Sequence, residues 1–157
     1  MKGGRKKMKI WEKFDKEIDT NGLQVDIKEA AENKRSFREV PHGVYEIEIE
    51  KMELIASKAG DPMVTVWFKV LEGEYKGSLI FMNQVVNQGF QIHIVNEFLR
   101  SLGSGIEIEF KNYSQYGQLL MDVHEAIDEK FEYGLDYDEN NKGFNTFKIT
   151  QIYKLED

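Results

Sequence analysis

Between Val40 and Val86, apolar and polar positions alternate in three runs, each closed by a cluster of turn residues. After Gly43 the apolar residues Tyr45, Ile47 and Ile49 take every second position, and the phase then shifts to Met52 and Leu54. One extra residue near Glu50-Lys51 produces that shift, so the run predicts a single long strand, bulged and bent. Ser57-Lys58-Ala59-Gly60-Asp61-Pro62 breaks it. Alternation resumes with Val64, Val66, Phe68 and Val70 on one face and Thr65, Trp67 and Lys69 on the other, which puts Trp67 on the polar face. A second break, Glu72-Gly73-Glu74-Tyr75-Lys76-Gly77, leads into a third strand from Ser78 to Val86.

The period then changes. Phe90, Ile94, Val95, Phe98, Leu99 and Leu102 recur at helical spacing until Gly103 and Gly105, and Tyr113 to Lys130 reads as a second helix with Tyr116, Leu119, Leu120, Val123 and Ile127 on one face. Phe131, Tyr133, Leu135 and Tyr137 alternate again, Asp138 to Gly143 makes a turn, and Phe147, Ile149, Tyr153 and Leu155 form a last strand. A three-stranded meander with a bent first strand, then helices, then a hairpin is the order of a five-stranded Greek-key barrel of the OB type. The predicted fold is therefore mainly β with helices, with a helix pair between strands 3 and 4. Ahead of it, Ile10, Trp11, Phe14 and Ile18 share one face of a short amphipathic helix over 10–19, ended by Thr20-Asn21-Gly22, and Asp26 to Asn33 reads as another short helix. Residues 1–40 are thus an N-terminal extension and 41–157 the OB-like domain, with Trp11 and Phe14 either intramolecular core or part of an oligomer interface.

A chain of 157 residues that is 41% hydrophobic suits one domain with a proper core. It has no cysteine, hence no disulfide framework and no thiolate nucleophile, which fits a reducing cytoplasm. No apolar run approaches the roughly 20 residues of a membrane span. The basic start, with Lys2, Arg5, Lys6, Lys7 and Lys9, reads either as an arm for phosphates or, over residues 1–7, as a translated leader ahead of an initiator Met8. Losing those first four cations would move the formal charge from −7 to −11. Mass spectrometry of the mature N-terminus decides between the two, and a start at residue 1 removes the leader reading.

The run Pro41-x-Gly43-x-Tyr45, the Ser57-Lys58-x-Gly60 turn, the block Phe68-Lys69-Val70-Leu71-Glu72-Gly73-x-Tyr75-x-Gly77 and the terminal hairpin resemble phage-encoded single-stranded-DNA-binding proteins of replication and recombination modules. Their domain was long catalogued only as of unknown function. The resemblance covers roughly residues 8–155 and rests on spacing and turn chemistry. It implies an OB-like barrel that binds single-stranded DNA without strong sequence preference, in the cytoplasm of an infected or lysogenic bacterial host, with phage recombinase or replication proteins as partners and a homo-oligomer as one possible state.

Binding a single strand takes aromatic rings on which bases stack and cations for phosphates. Trp67, between Thr65 and Lys69, is the best stacking platform, unless a helix covers that face and makes it core. Tyr75 and Lys76 in the second turn, with Lys58 in the first, are candidates for one rim of the groove, although a solvated hairpin tip explains Lys76 better. In the third strand Phe81 and Asn83 share one face while Ile80, Met82 and Gln84 share the other, and alternation does not say which is buried; Phe81 is a further candidate. Lys148 and Lys154 fall on the solvent face of the last strand, with Lys148 carried as a phosphate contact.

Charge argues the other way. With 28 acidic against 21 basic residues the chain is not a basic protein, and the row Glu46, Glu48, Glu50 lies on the outward face of the first strand. An acidic interaction module or DNA mimic, occupying the nucleic-acid channel of a host protein, is the alternative; it predicts phosphate-like carboxylate spacing and a buried Trp67. Nothing points to an enzyme, a metal or a cofactor. His42, His93 and His124 stand apart, Gly103-Ser104-Gly105 ends a helix instead of opening one after a strand, and Asp136 to Gly143 lacks the closing Glu of a calcium loop.

Overall fold

The computed structural model describes residues 39–156, so the short helices predicted over 10–19 and 26–33, and the basic start, lie outside the described residues. Five strands, β1 (Gly43–Ala56), β2 (Pro62–Val70), β3 (Leu79–Val85), β4 (Phe131–Glu139) and β5 (Asn145–Lys154), form one antiparallel sheet in the order β3-β2-β1-β4-β5. Two helices, α1 (Gly89–Arg100) and α2 (Tyr113–Ile127), stand between β3 and β4. The protein is mainly β, and its sheet is not closed: no ladder joins β3 to β5 among the described residues.

The alternation decides the buried face. Val64, Val66, Phe68 and Val70 of β2 have no exposed surface, and Ile47, Ile49 and Met52 of β1 join them below the sheet. The register of β1 against β2 slips between Ile49 and Lys51, so the bulge sits at Glu50 where the phase shift put it. Because of that slip β1 keeps its apolar side inward along 14 residues while its partner changes. Its first half pairs with β4 through Gly43 to Ile47, and the rest pairs with β2. In β3 the buried face is that of Ile80 and Met82, which leaves Phe81 pointing outward beside Trp67.

The sheet is strongly curled. β2 and β5 are separated by two strands, a spacing of about 14 Å in a flat sheet, yet the rings of Phe68 and Phe147 stack with centroids 5.7 Å apart. Phe98 of α1 meets the same Phe68 edge-on at 5.8 Å, and α1 lies against both edge strands, β3 and β5. The helices are fixed by caps: the Gln91 side chain accepts from the Asn87 and Gln88 amides at the start of α1, and Asn112 accepts from the Gln115 amide at 2.8 Å at the start of α2. Two buried tyrosines tie the layers, Tyr133 donating to the Leu102 carbonyl at 2.7 Å and Tyr116 to Asn96 at 2.6 Å. Burial pushes both hydroxyls far above their ordinary pKa, so both stay neutral donors.

Two glycines answer to specific geometry. Gly60 has φ +89 in the Ser57–Asp61 turn, a conformation that side-chain-bearing residues rarely adopt. Gly134, at the register irregularity of β4 with β5, leaves room for Thr150: a Cβ there would stand 2.6 Å from the Thr150 hydroxyl oxygen. Gly134→Ala is therefore expected to cost about 1–2 kcal/mol in chemical denaturation, and adding Thr150→Ala should recover most of it. An unrelieved loss in the double variant would place the strain elsewhere.

Candidate nucleic-acid interface

The outward face of β1, β2 and β3 is built in rungs. Lys51, Trp67 and Phe81 are direct neighbours across the three strands, and Glu53, Thr65 and Asn83 form the next rung. The Phe81 ring meets Trp67 edge-on with centroids 5.4 Å apart, the Lys51 ammonium lies 4.4 Å from the Trp67 ring centroid, and the Thr65 hydroxyl donates to Asn83 at 2.6 Å. A cation over an indole face is held by the ring quadrupole. Lys51 is also 3.3 Å from the Glu53 carboxylate, which orients its stem across the rung.

The bulge is what makes this cluster. Without it the outward sequence Glu46, Glu48 would continue to Glu50 at the level of Trp67; the extra residue substitutes Lys51 there and turns an acidic position basic. Lys51 is thus a site residue that reading Trp67 alone missed, although the phase shift that places it was visible in the sequence. Trp67 is half-buried. α2 lies against β1 and α1 against β3 and β5, and their buried side chains belong to the core on the other face. Lys69 follows Trp67 on the same face, half-buried.

The remaining candidates separate. Lys58 is exposed in the β1–β2 turn, whereas Tyr75 and Lys76 sit in the β2–β3 turn. Successive turns of a meander lie at opposite ends of the shared strand, here nine residues or about 30 Å of extended chain. The expectation of one common rim is corrected accordingly. Tyr75 is half-buried, packed against the core and edge-on to Tyr45 at 6.4 Å. Lys148 is exposed on β5 opposite Asp136, with β4 and β1 between it and β2 in the sheet. The β4–β5 hairpin tip carries an exposed Lys142 and an exposed Phe144, which no apolar pattern singled out because they lie in a turn.

Carboxylates gather on the other half of the outward surface. The charge of Glu72 beside it holds the Glu46 carboxyl above its ordinary pKa, with smaller contributions from its own desolvation, a side-chain hydrogen bond to Glu72 and the charge of Glu132. A carboxyl that binds its proton more tightly in the folded state stabilises the fold in acid and loses that contribution as pH rises from the ordinary carboxylate pKa through the raised one. Glu72→Gln is therefore expected to raise the melting temperature at neutral pH, with the gain shrinking in acid as Glu46 takes up its proton. An unchanged melting temperature at neutral pH would mean that the pair does not repel.

Among the described residues there is no group of three or more His, Asp or Glu side chains that could hold a metal ion, and no helix is long and apolar enough to cross a membrane. These features define a class: a mainly β protein with a curled five-stranded antiparallel sheet, two helices, and a basic-aromatic rung on the outward face of its first three strands. Over residues 24–148 the chain matches the family described as "Protein of unknown function (DUF669)", and it belongs to that family. No curated protein matches the chain.

Proposed function

We propose that this protein binds single-stranded DNA without sequence preference, as a non-enzymatic component of phage replication or recombination, and that its curled sheet is an OB-like Greek-key barrel completed at the seam between β3 and β5. The order β3-β2-β1-β4-β5, with helices between β3 and β4, is that of such a barrel opened at one seam. The Phe68–Phe147 stack and the position of α1 against both edges support the closure.

The rung Lys51–Trp67–Phe81 is the observation that carries the functional reading. OB domains take oligonucleotides on the outward face of strands 2 and 3. Here that face offers two rings for bases and, in Lys51 and Lys69, two cations for the adjoining phosphates. The strand runs across β2 and β3 and avoids the acidic half of β1, where Glu46 and Glu72 would repel it. With Lys58 as a third phosphate contact, the slope of log K against log salt should be about −2, at about −0.7 per contact on a single strand. A slope near zero would remove the lysines from the interface.

The chain has two tryptophans, so Trp11→Phe leaves Trp67 as sole reporter. Oligothymidine is expected to quench its emission saturably at low salt. An unquenched Trp67 would contradict the reading and favour the acidic-mimic alternative, to which the grouping of Glu46, Glu72 and Glu132 lends support.

A further inference from the structure

A second surface lies at the other edge of β1. Beyond Ile47, β1 is no longer paired with β4, and α2 runs beside it instead. Two props hold the helix there. His124 Nε2 is 3.1 Å from the Ile49 carbonyl oxygen at the bulge, and Gly117 of α2 faces Leu54, whose Cδ2 would be in ordinary contact, at 3.7 Å, with a Cβ at that position. Between the props an open groove of about 560 Å³ remains.

Its chemistry is divided. Leu54 and Met121 line it together with Met52, and Met121 is 60% exposed, an unbranched apolar side chain on an otherwise polar helix face. Glu50, Glu53, Glu125 and Asp128 line it as well, four carboxylates against the single lysine Lys51. Of these four carboxylates only Glu53 is in an ion pair, with Lys51, among the described residues. Phosphates are repelled by such a rim, and a purely apolar ligand would leave it without counter-charges.

We propose that the groove between β1 and α2 is a docking site for a short peptide segment of a partner protein in which Lys or Arg alternates with aliphatic residues, the aliphatic side chains resting on Met121 and Leu54 and the cations meeting Glu50, Glu125 and Asp128. Charge complementarity selects this occupant, and the exposed methionine gives it an adaptable apolar seat. Docking here does not depend on whether Trp67 stacks bases.

The test is anisotropy of a fluorescein-labelled peptide of three Lys-Leu repeats titrated with the full chain, beside hexalysine and a peptide of three Glu-Leu repeats. Saturable binding of the Lys-Leu peptide, about tenfold tighter than hexalysine, is expected, with none for the Glu-Leu peptide. Met121→Glu and Glu125→Lys, both at exposed positions, should each weaken it about tenfold, while Asp138→Lys on the distant β4–β5 hairpin should not. Melting temperatures equal to that of the parent establish that the variants fold; should either groove variant fail this, Met121→Ala and Glu125→Gln replace them with the same expectation. Absence of binding, equal binding of hexalysine, or equal loss from all three variants would overturn the proposal.

Discussion

Replacing Trp67 with alanine is expected to weaken binding to oligothymidine about 5- to 150-fold, the equivalent of the 1–3 kcal/mol that one base-stacking ring contributes. Under the proposed function the ring has two roles, so the effect should be large. It offers a π-face to a base, and it holds the Lys51 ammonium at 4.4 Å on the outward face. Without the indole, Lys51 is left to Glu53, 3.3 Å away, and its charge is turned from the phosphates. Trp67→Phe keeps a ring next to Phe81 and should lose less than the alanine variant. The core lies on the opposite face of β2, under Val66 and Phe68, so circular dichroism should remain that of the parent. Equal affinities for parent and alanine variant would exclude Trp67 from the site, whatever the protein binds.

Phe68→Ala should have the largest effect on stability, about 3–5 kcal/mol. The side chain has no exposed surface and stands between the rings of Phe98 and Phe147. Its removal leaves a cavity where α1, β2 and β5 meet, and no neighbouring backbone can collapse into it without uncurling the sheet. Against a typical domain stability of 5–15 kcal/mol the loss is a fifth or more of the total, measurable as a shift of the urea midpoint. A double-mutant cycle with Phe147→Ala isolates the curl. Stacked rings should couple by about 0.5–1.5 kcal/mol, whereas additive losses would mean that β2 and β5 do not face each other.

Much of this architecture is legible in the chain. The meander, the bulge at Glu50, the two helices and the final hairpin follow from changes of period and from turn clusters, because β2 and the helices each bury one face against a single core. The outward face of β3 was not legible. Leu79, Phe81 and Val85 alternate with Ile80 and Met82, so both faces are apolar and only packing against β2 and α1 decides between them. Where turn residues point is equally silent in the sequence. Tyr75 reads as a rim residue but packs inward against Tyr45, and Lys58 and Lys76 read as neighbours although β2 separates them. Lys51 was within reach, since moving the phase by one residue at Glu50 places it beside Trp67. The pairing of β1 with β4 is non-local, and the curl that brings Phe147 to Phe68 has no signature in the pattern of either strand.

The central claim, a single-strand site on the outward face of β1, β2 and β3, is tested most directly by fluorescence anisotropy of a labelled oligothymidine titrated with the parent protein and with Trp67→Ala, at low and moderate salt, beside a duplex of the same length. Saturable, salt-sensitive binding that prefers the single strand and weakens in the variant is the expected result. No binding even at low salt, or binding that favours the duplex and ignores the substitution, would contradict it.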